Sequence, residues 1–213
     1  MRRSSLACLT AFALLGALPA AAQEVDPWTV LNNVRRSLVE AGPTGASFVQ
    51  TFIASGFSSG DKESGRLALA LPDCMRWDYL NPFPKSFLLC GGTVHAWNEG
   101  DRTGHRYRVD RKNEPGLDLL LLGVDELKQR YRATAKTADG GRIEIALSPK
   151  EKRLAELKDA TLTVDPASQR IVAVSYHDQE GNLTRFEING YQELSRQAGF
   201  SPPANIRWVE GSQ

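Results

Sequence analysis

Gly56-Phe57-Ser58-Ser59-Gly60 has the G-x-S-x-G spacing of a nucleophile elbow, in which a serine on a sharp strand-to-helix turn attacks an ester carbonyl. That chemistry needs a parallel α/β frame around the turn, with an acid and a histidine further along the chain. Here strand-like sequence stands on both sides of the segment, so it reads as a flexible hairpin loop. A secreted hydrolase using Ser58 is the remotest of three functional readings. His95, His105 and His177 form no H-x-x-x-H or HExxH arrangement, and the cysteines lack zinc-finger spacing, so neither a metal site nor a cofactor is expected. Glu144, Glu151, Glu156 and Asp159 read as solvated charges rather than as a glycosidase pair. No dinucleotide fingerprint and no P-loop is present.

The residues that could do something other than catalysis are apolar. From Gly65 to Trp97 the chain runs as short strand-like stretches joined by turn residues, with large apolar side chains on alternate positions. Met75, Trp77 and Tyr79 share one face of a strand, and Cys74, Arg76 and Asp78 share the other. Asn81-Pro82-Phe83-Pro84 cannot continue a hydrogen-bonded ladder, because proline lacks the donor and restricts the residue before it. Ser86 to Cys90 should therefore return antiparallel, and Gly91-Gly92 permits a second reversal into Thr93 to Trp97. Cys74 and Cys90 lie equidistant from Pro82, so a symmetric turn would set them opposite each other on the polar side, close enough for a disulfide. Two free buried thiols are the alternative.

Residues 1 to 22 begin with Arg2 and Arg3, continue through the apolar Leu6 to Leu18 and end in Ala20-Ala21-Ala22, the pattern of a secretory signal with cleavage before Gln23. A membrane anchor is the competing reading, but the apolar run is shorter than the roughly 20 residues of a spanning helix. Of the 26 basic and 25 acidic residues only Arg2 and Arg3 fall within this segment, so residues 23–213 carry one more acid than base. No basic surplus remains for a polyphosphate backbone, and a nucleic-acid binder is not expected. Residues 23–213 fit one domain with its own core, and an exported chain keeps its cysteines in an oxidising setting.

The elements that must position the apolar block can be read in outline. Asp26-Pro27 starts a helix whose Trp28, Leu31, Val34 and Leu38 recur at helical spacing until Gly42. Ala46 to Ala54 reads as a strand with Phe48, Gln50 and Phe52 on one side. After the Ser55 to Asp61 turn, Glu63 to Ala70 is a second strand. Gly104 to Arg111 continues the pattern. Asn113-Glu114-Pro115 opens a short apolar helix through Leu117, Leu119, Leu120, Leu121 and Leu122, stopped by Gly123, and Asp125 to Arg130 adds a helical turn. Leucines on more than one face want apolar neighbours on several sides, and the natural seat is across the concave face of a sheet. Strands follow at 131–136, 142–147, 160–164, 171–177 and 183–191, with Asp139-Gly140-Gly141, Asp165-Pro166 and Glu180-Gly181-Asn182 as turns.

Taken in order, these pieces resemble the periplasmic lipoprotein carriers of the LolA type over essentially all of residues 23–213. The resemblance is carried by Phe48-Val49-Gln50, by Gly65 with Leu67 and Leu69, by Pro72 with Arg76-Trp77-Asp78-Tyr79 and Pro82, and by Cys90-Gly91-Gly92-Thr93-Val94. Further on, Pro115 with Leu119 to Leu122, Leu147-Ser148-Pro149-Lys150, Asp178 to Thr184 and Phe200-Ser201-Pro202-Pro203 follow in family order. Each motif is weak alone, and their joint order is specific.

The resemblance implies a mainly β fold, an incomplete antiparallel β-barrel with a helical lid over its concave apolar face. It implies a non-enzymatic, monomeric periplasmic carrier that takes lipid-modified proteins from an inner-membrane ABC transporter to an outer-membrane acceptor lipoprotein. Phe48, Phe52, Met75, Trp77, Tyr79 and Leu89 would then line the acyl-chain groove, and Leu117 with Leu119 to Leu122 would form the lid. Any one of these side chains could instead be ordinary core. The family has a basic residue before the proline equivalent to Pro72, holding the lid by hydrogen bonds. Here that position is Leu71, which cannot donate, and this favours the second reading, a carrier of a free lipid or glycolipid for an envelope biosynthetic system.

Overall fold

The computed structural model describes residues 25–109, 119, 123–151, 157–195 and 199–211. The signal segment and most of the predicted lid helix lie outside these residues; of the lid leucines only Leu119 is described, helical and buried. Helix α1 spans Pro27–Ala41 and starts as its sequence dictates. The Asp26 carboxylate accepts from the backbone N–H of Thr29 at 2.9 Å and from its hydroxyl at 2.5 Å, while Pro27 fills a first-turn position that needs no donor. The Thr29 hydroxyl bond is the main reason the Asp26 carboxyl sits below its ordinary pKa. Gly42, at φ +74°, ends the helix where a side chain would be strained.

Six strands follow: β1 (Thr44–Ile53), β2 (Asp61–Ala70), β3 (Cys74–Asn81), β4 (Lys85–Cys90), β5 (Thr93–Asn98) and β6 (Thr103–Arg108). Helix α2 (Val124–Arg130) leads into β7 (Tyr131–Thr137), β8 (Ile143–Pro149), β9 (Leu157–Asp165), β10 (Arg170–Asp178) and β11 (Leu183–Glu193), and β12 (Arg207–Glu210) closes the chain. All twelve belong to one open sheet in the order β12-β6-β5-β4-β3-β2-β1-β11-β10-β9-β8-β7. Two meanders are thus joined edge to edge where β11 returns beside β1. Every pair is antiparallel except β12 with β6.

Among the described residues the expected elements stand close to their predicted positions, and the Asn81-to-Pro84 turn closes symmetrically. Cys74 pairs with Cys90, Met75 with Leu89, Trp77 with Phe87 and Tyr79 with Lys85. The Cys74–Cys90 disulfide forms. The β12 edge strand was not among the predicted elements, and β6 stops at Arg108, short of the expected Arg111.

Helix α1 turns Leu31, Val34 and Leu38 inward and packs on α2, β7 and β10. There they meet Leu127 from α2 and Ile145, Leu147, Leu162 and Val174 from the sheet, all buried in one core. The two described helices therefore cover the β7–β10 half of the inner face.

Candidate functional site

Curvature brings distant strands together on that inner face. Trp77 on β3 and Phe186 on β11 are separated by β2 and β1, three strand spacings or about 14 Å in a flat sheet. Their ring centroids stand 5.1 Å apart. Phe48 on β1 lies edge-on to both Trp77, at 5.1 Å, and Tyr79, at 5.0 Å. The sheet is therefore concave here, and Phe48 is the hub of an aromatic floor. Edge-to-face pairs of this kind contribute about 0.5–1.5 kcal/mol each beyond their area burial.

Depth changes in steps along the strands. The row Leu69, Met75, Leu89 and Val94 is buried, with Met75 at 0% exposure. The next row on β3 to β5, Trp77, Phe87 and Ala96, is only half-buried. The third, Tyr79, Lys85 and Asn98, reaches the rim. On the other flank, buried Ile188 and Val174 give way to half-buried Phe186 and Tyr176. The result is an apolar trough, closed over at one end and half-open at the other.

Its polar groups are few and mostly partnered. The Trp77 indole N–H donates to the Met75 thioether at 2.6 Å, and the Tyr79 hydroxyl donates to Gln50 Oε1 at 2.6 Å. Burial, and then the nearby Glu63 carboxylate, push the Tyr79 phenol well above its ordinary pKa, so it stays neutral and keeps its donor. At the rim Lys85 Nζ pairs with Glu63 Oε1 at 2.7 Å and lies 4.6 Å from the centre of the Tyr79 ring. A surface of this composition can hold hydrocarbon.

Of the six predicted groove residues, Trp77 and Tyr79 line the half-open floor. Phe48 is buried at the centre of that floor, Met75 and Leu89 belong to the closed-over row, and Phe52 stands at the rim, 39% exposed. Phe87, Phe186 and Tyr176 belong to the same surface and were not predicted. Phe87 could have been found as the register partner of Trp77, whereas the others needed the curvature. Leu71 packs against the core, as an apolar residue at that place should. Ser58 is exposed in the loop joining antiparallel β1 to β2, where no strand-to-helix elbow exists. The three histidines lie apart on β5, β6 and β10, and His177 pairs with Asp159 at 2.8 Å. Glu144 pairs with Lys136 at 2.8 Å, and Glu156 lies outside the described residues. Among the described residues no group of three His, Cys, Asp or Glu side chains could hold a metal ion. No described helix is long and apolar enough to cross a membrane.

The opposite, convex face carries a second, smaller apolar cluster. Leu88 is buried there, and the residues at 199–211 run back over this face: Trp208 stands edge-on to His95 at 4.8 Å and to Trp97 at 5.8 Å. Arg76 Nη1 donates to the Gly199 carbonyl at 2.9 Å, and its guanidinium lies 5.3 Å from the Trp97 ring centre.

Residues 43–199 match the family described as outer membrane lipoprotein carrier protein LolA. The outer-membrane lipoprotein carrier protein of Chromobacterium violaceum is 23% identical over 207 residues, which cover 95% of this chain and 96% of that one. Among solved structures, an uncharacterized conserved protein from Thermus thermophilus superposes with a TM-score of 0.56 at 11% identity, covering 86% of this chain and 98% of the other. A LolA superfamily protein from Nitrosomonas europaea superposes with a TM-score of 0.44 at 7% identity, over 80% and 94% of the two chains.

Proposed function

The chain belongs to the LolA family of outer membrane lipoprotein carriers, and from that membership we propose that it escorts lipid-modified proteins across the periplasm with their acyl chains in the concave trough. It takes them from an inner-membrane ABC transporter and passes them to an outer-membrane acceptor lipoprotein, acting as a monomer without a catalytic step. The supporting observation is the trough itself, half-buried aromatic rings beside a buried aliphatic row. Phe48, Met75, Trp77, Tyr79 and Leu89 serve as its lining, Phe52 as its rim, and Leu117 with Leu119 to Leu122 as the lid. Residues 1–22 direct export, and the remainder works as one carrier domain.

The task sets an energetic window. Burial is worth about 0.8 kcal/mol per methylene, so a sixteen-carbon tail sheltered completely would gain roughly 12 kcal/mol, near nanomolar affinity for each chain. Two such chains would not leave on a useful timescale. A lid that packs its own leucines into the empty trough solves this, because cargo burial then replaces protein burial and only the difference remains.

A second reading, a carrier of free lipid or glycolipid, draws on Leu71. An apolar side chain packed against the core stands where the family's lid-holding donor is expected. Purification from the periplasm followed by lipid extraction separates the two. Acylated polypeptide bound to the protein supports the lipoprotein carrier, and free lipid alone overturns it in favour of the second reading.

A further inference from the structure

The aromatic trough does not end at Phe87. Beyond that ring, between β4, β5 and β6, lies a cavity of about 160 Å3 lined by Lys85, Phe87, Asn98, Asp101, Thr103 and His105. Phe87 belongs to both spaces. On one side it is the register partner of Trp77 and its ring stands 6.0 Å from that of Tyr79, and on the other it walls the cavity. Pockets that enclose a whole small ligand run to about 300–1,000 Å3. A space this small, sharing the Phe87 ring with the trough, suits one end of a molecule whose remainder lies over that ring.

The walls decide which end. Lys85, Thr103 and His105 bring donors to the cavity, while the Asn98 amide already donates to Asp101 Oδ2 at 3.0 Å. An ammonium has three protons to give. One of those on Lys85 goes to Glu63, and the Tyr79 face shelters its flank. The positive charge of Lys85 is offset by Glu63 and Asp101, so the site has no surplus for a phosphate. What it suits is a group rich in uncharged acceptor oxygens.

We infer that this cavity is a head subsite for the neutral, ester-bearing glyceryl end of a diacylated cargo. Lys85 and Thr103 donate to the ester oxygens, and the tails run over Phe87 and Trp77 into the trough. The inference rests on the acyl-carrier reading and deepens it, because it makes the protein choose an acylated glycerol over a bare hydrocarbon of similar length.

Three fluorescent probes test it on the purified protein: diphenylhexatriene, which has no head; a labelled diacylglycerol; and a labelled phosphatidylglycerol with the same chains. Lys85→Met and Thr103→Val should each weaken diacylglycerol binding roughly tenfold, as the loss of a hydrogen bond at a half-buried site does. Thr103→Val should leave diphenylhexatriene unchanged. Glu63→Gln should tighten diacylglycerol binding by freeing Lys85, an opposite effect that damage to the fold would not give. Equal effects on all probes, or none, would overturn the subsite while leaving the trough intact. Phosphatidylglycerol held more tightly than diacylglycerol, and lost in Lys85→Met, would overturn the neutral head in favour of a phosphate. Failure of the unaltered protein to bind diphenylhexatriene would remove the trough, and the subsite with it.

Discussion

Phe48 and Tyr79 stand on strands that are not neighbours, yet their rings meet edge to face at 5.0 Å, because the residue between them in register is Gly65. Gly65 has no β-carbon to hold the β3 backbone away, so β3 lies close against it at Asp78 and Tyr79. Tyr79 then lies across Gly65 and reaches Gln50 beyond it. A glycine in a strand interior weakens the strand in isolation, and here the cost is offset by aromatic contact over the bare backbone.

Gly65→Ala should therefore destabilise the protein despite its modest size. A β-carbon there would come within 1.9 Å of the Asp78 carbonyl oxygen, a backbone atom that cannot swing aside. Overpacking of this kind costs about 1–3 kcal/mol. Urea denaturation followed by tryptophan fluorescence reads the loss, and a midpoint equal to that of the unaltered protein would refute the account.

The Cys74–Cys90 bridge spans a sequence separation of 16 and ties β3 to β4 on the convex face. Closing a loop of that length removes denatured-state entropy worth about 3 kcal/mol. The double variant Cys74→Ala, Cys90→Ala should lose about that much in denaturation experiments. Addition of reductant should then shift the unaltered protein and leave the variant where it is. Binding of a hydrocarbon probe should persist in both at low denaturant, because neither cysteine faces the trough.

Much of this was legible residue by residue, and the rest failed for physical reasons. The Cys74-to-Cys90 hairpin could be read because two prolines fix its turn and alternation fixes its faces. Trp77 and Tyr79 followed from the same period of two. Phe186 did not, since nothing in its own strand says that four strands curve until it touches Trp77. β12 was missed because Arg207 to Glu210 is too short for a period to show. It owes its place to Trp208, which lies where a β-carbon on Gly104 would stand, 2.5 Å from the nearest indole atom.

Under that indole, the buried Nδ1 of His95 has no hydrogen-bond partner among the described residues. Burial first, and the Arg106 charge on the adjoining strand second, lower the His95 pKa from its ordinary 6.5. The folded protein thus binds this proton less readily than the unfolded chain does. Above 6.5 both states are neutral and the stability is fully present; as the pH falls from there through the lowered folded value, the unfolded chain is protonated first and stability declines. His95→Phe keeps an aromatic ring against Trp208 and cannot titrate. Its denaturation midpoint should fall less than that of the unaltered protein between about pH 7.5 and 5, and parallel curves would refute the assignment.

The lid gives the prediction closest to function. On the proposed reading, Leu120 and Leu121 compete with acyl chains for the surface around Trp77. Serine at both positions weakens the empty, closed state more than the loaded one, since cargo then displaces less protein burial. With about 0.8 kcal/mol at stake per methylene-sized group, the double change should slow release of acylated polypeptide by at least tenfold. The measurement is transfer of a labelled lipoprotein from the purified carrier to acceptor-bearing vesicles, with Leu120→Met and Leu121→Met as controls that keep the apolar bulk. Unchanged transfer in the serine variant would show that these leucines do not compete with cargo, and release would then have to be driven by the acceptor alone.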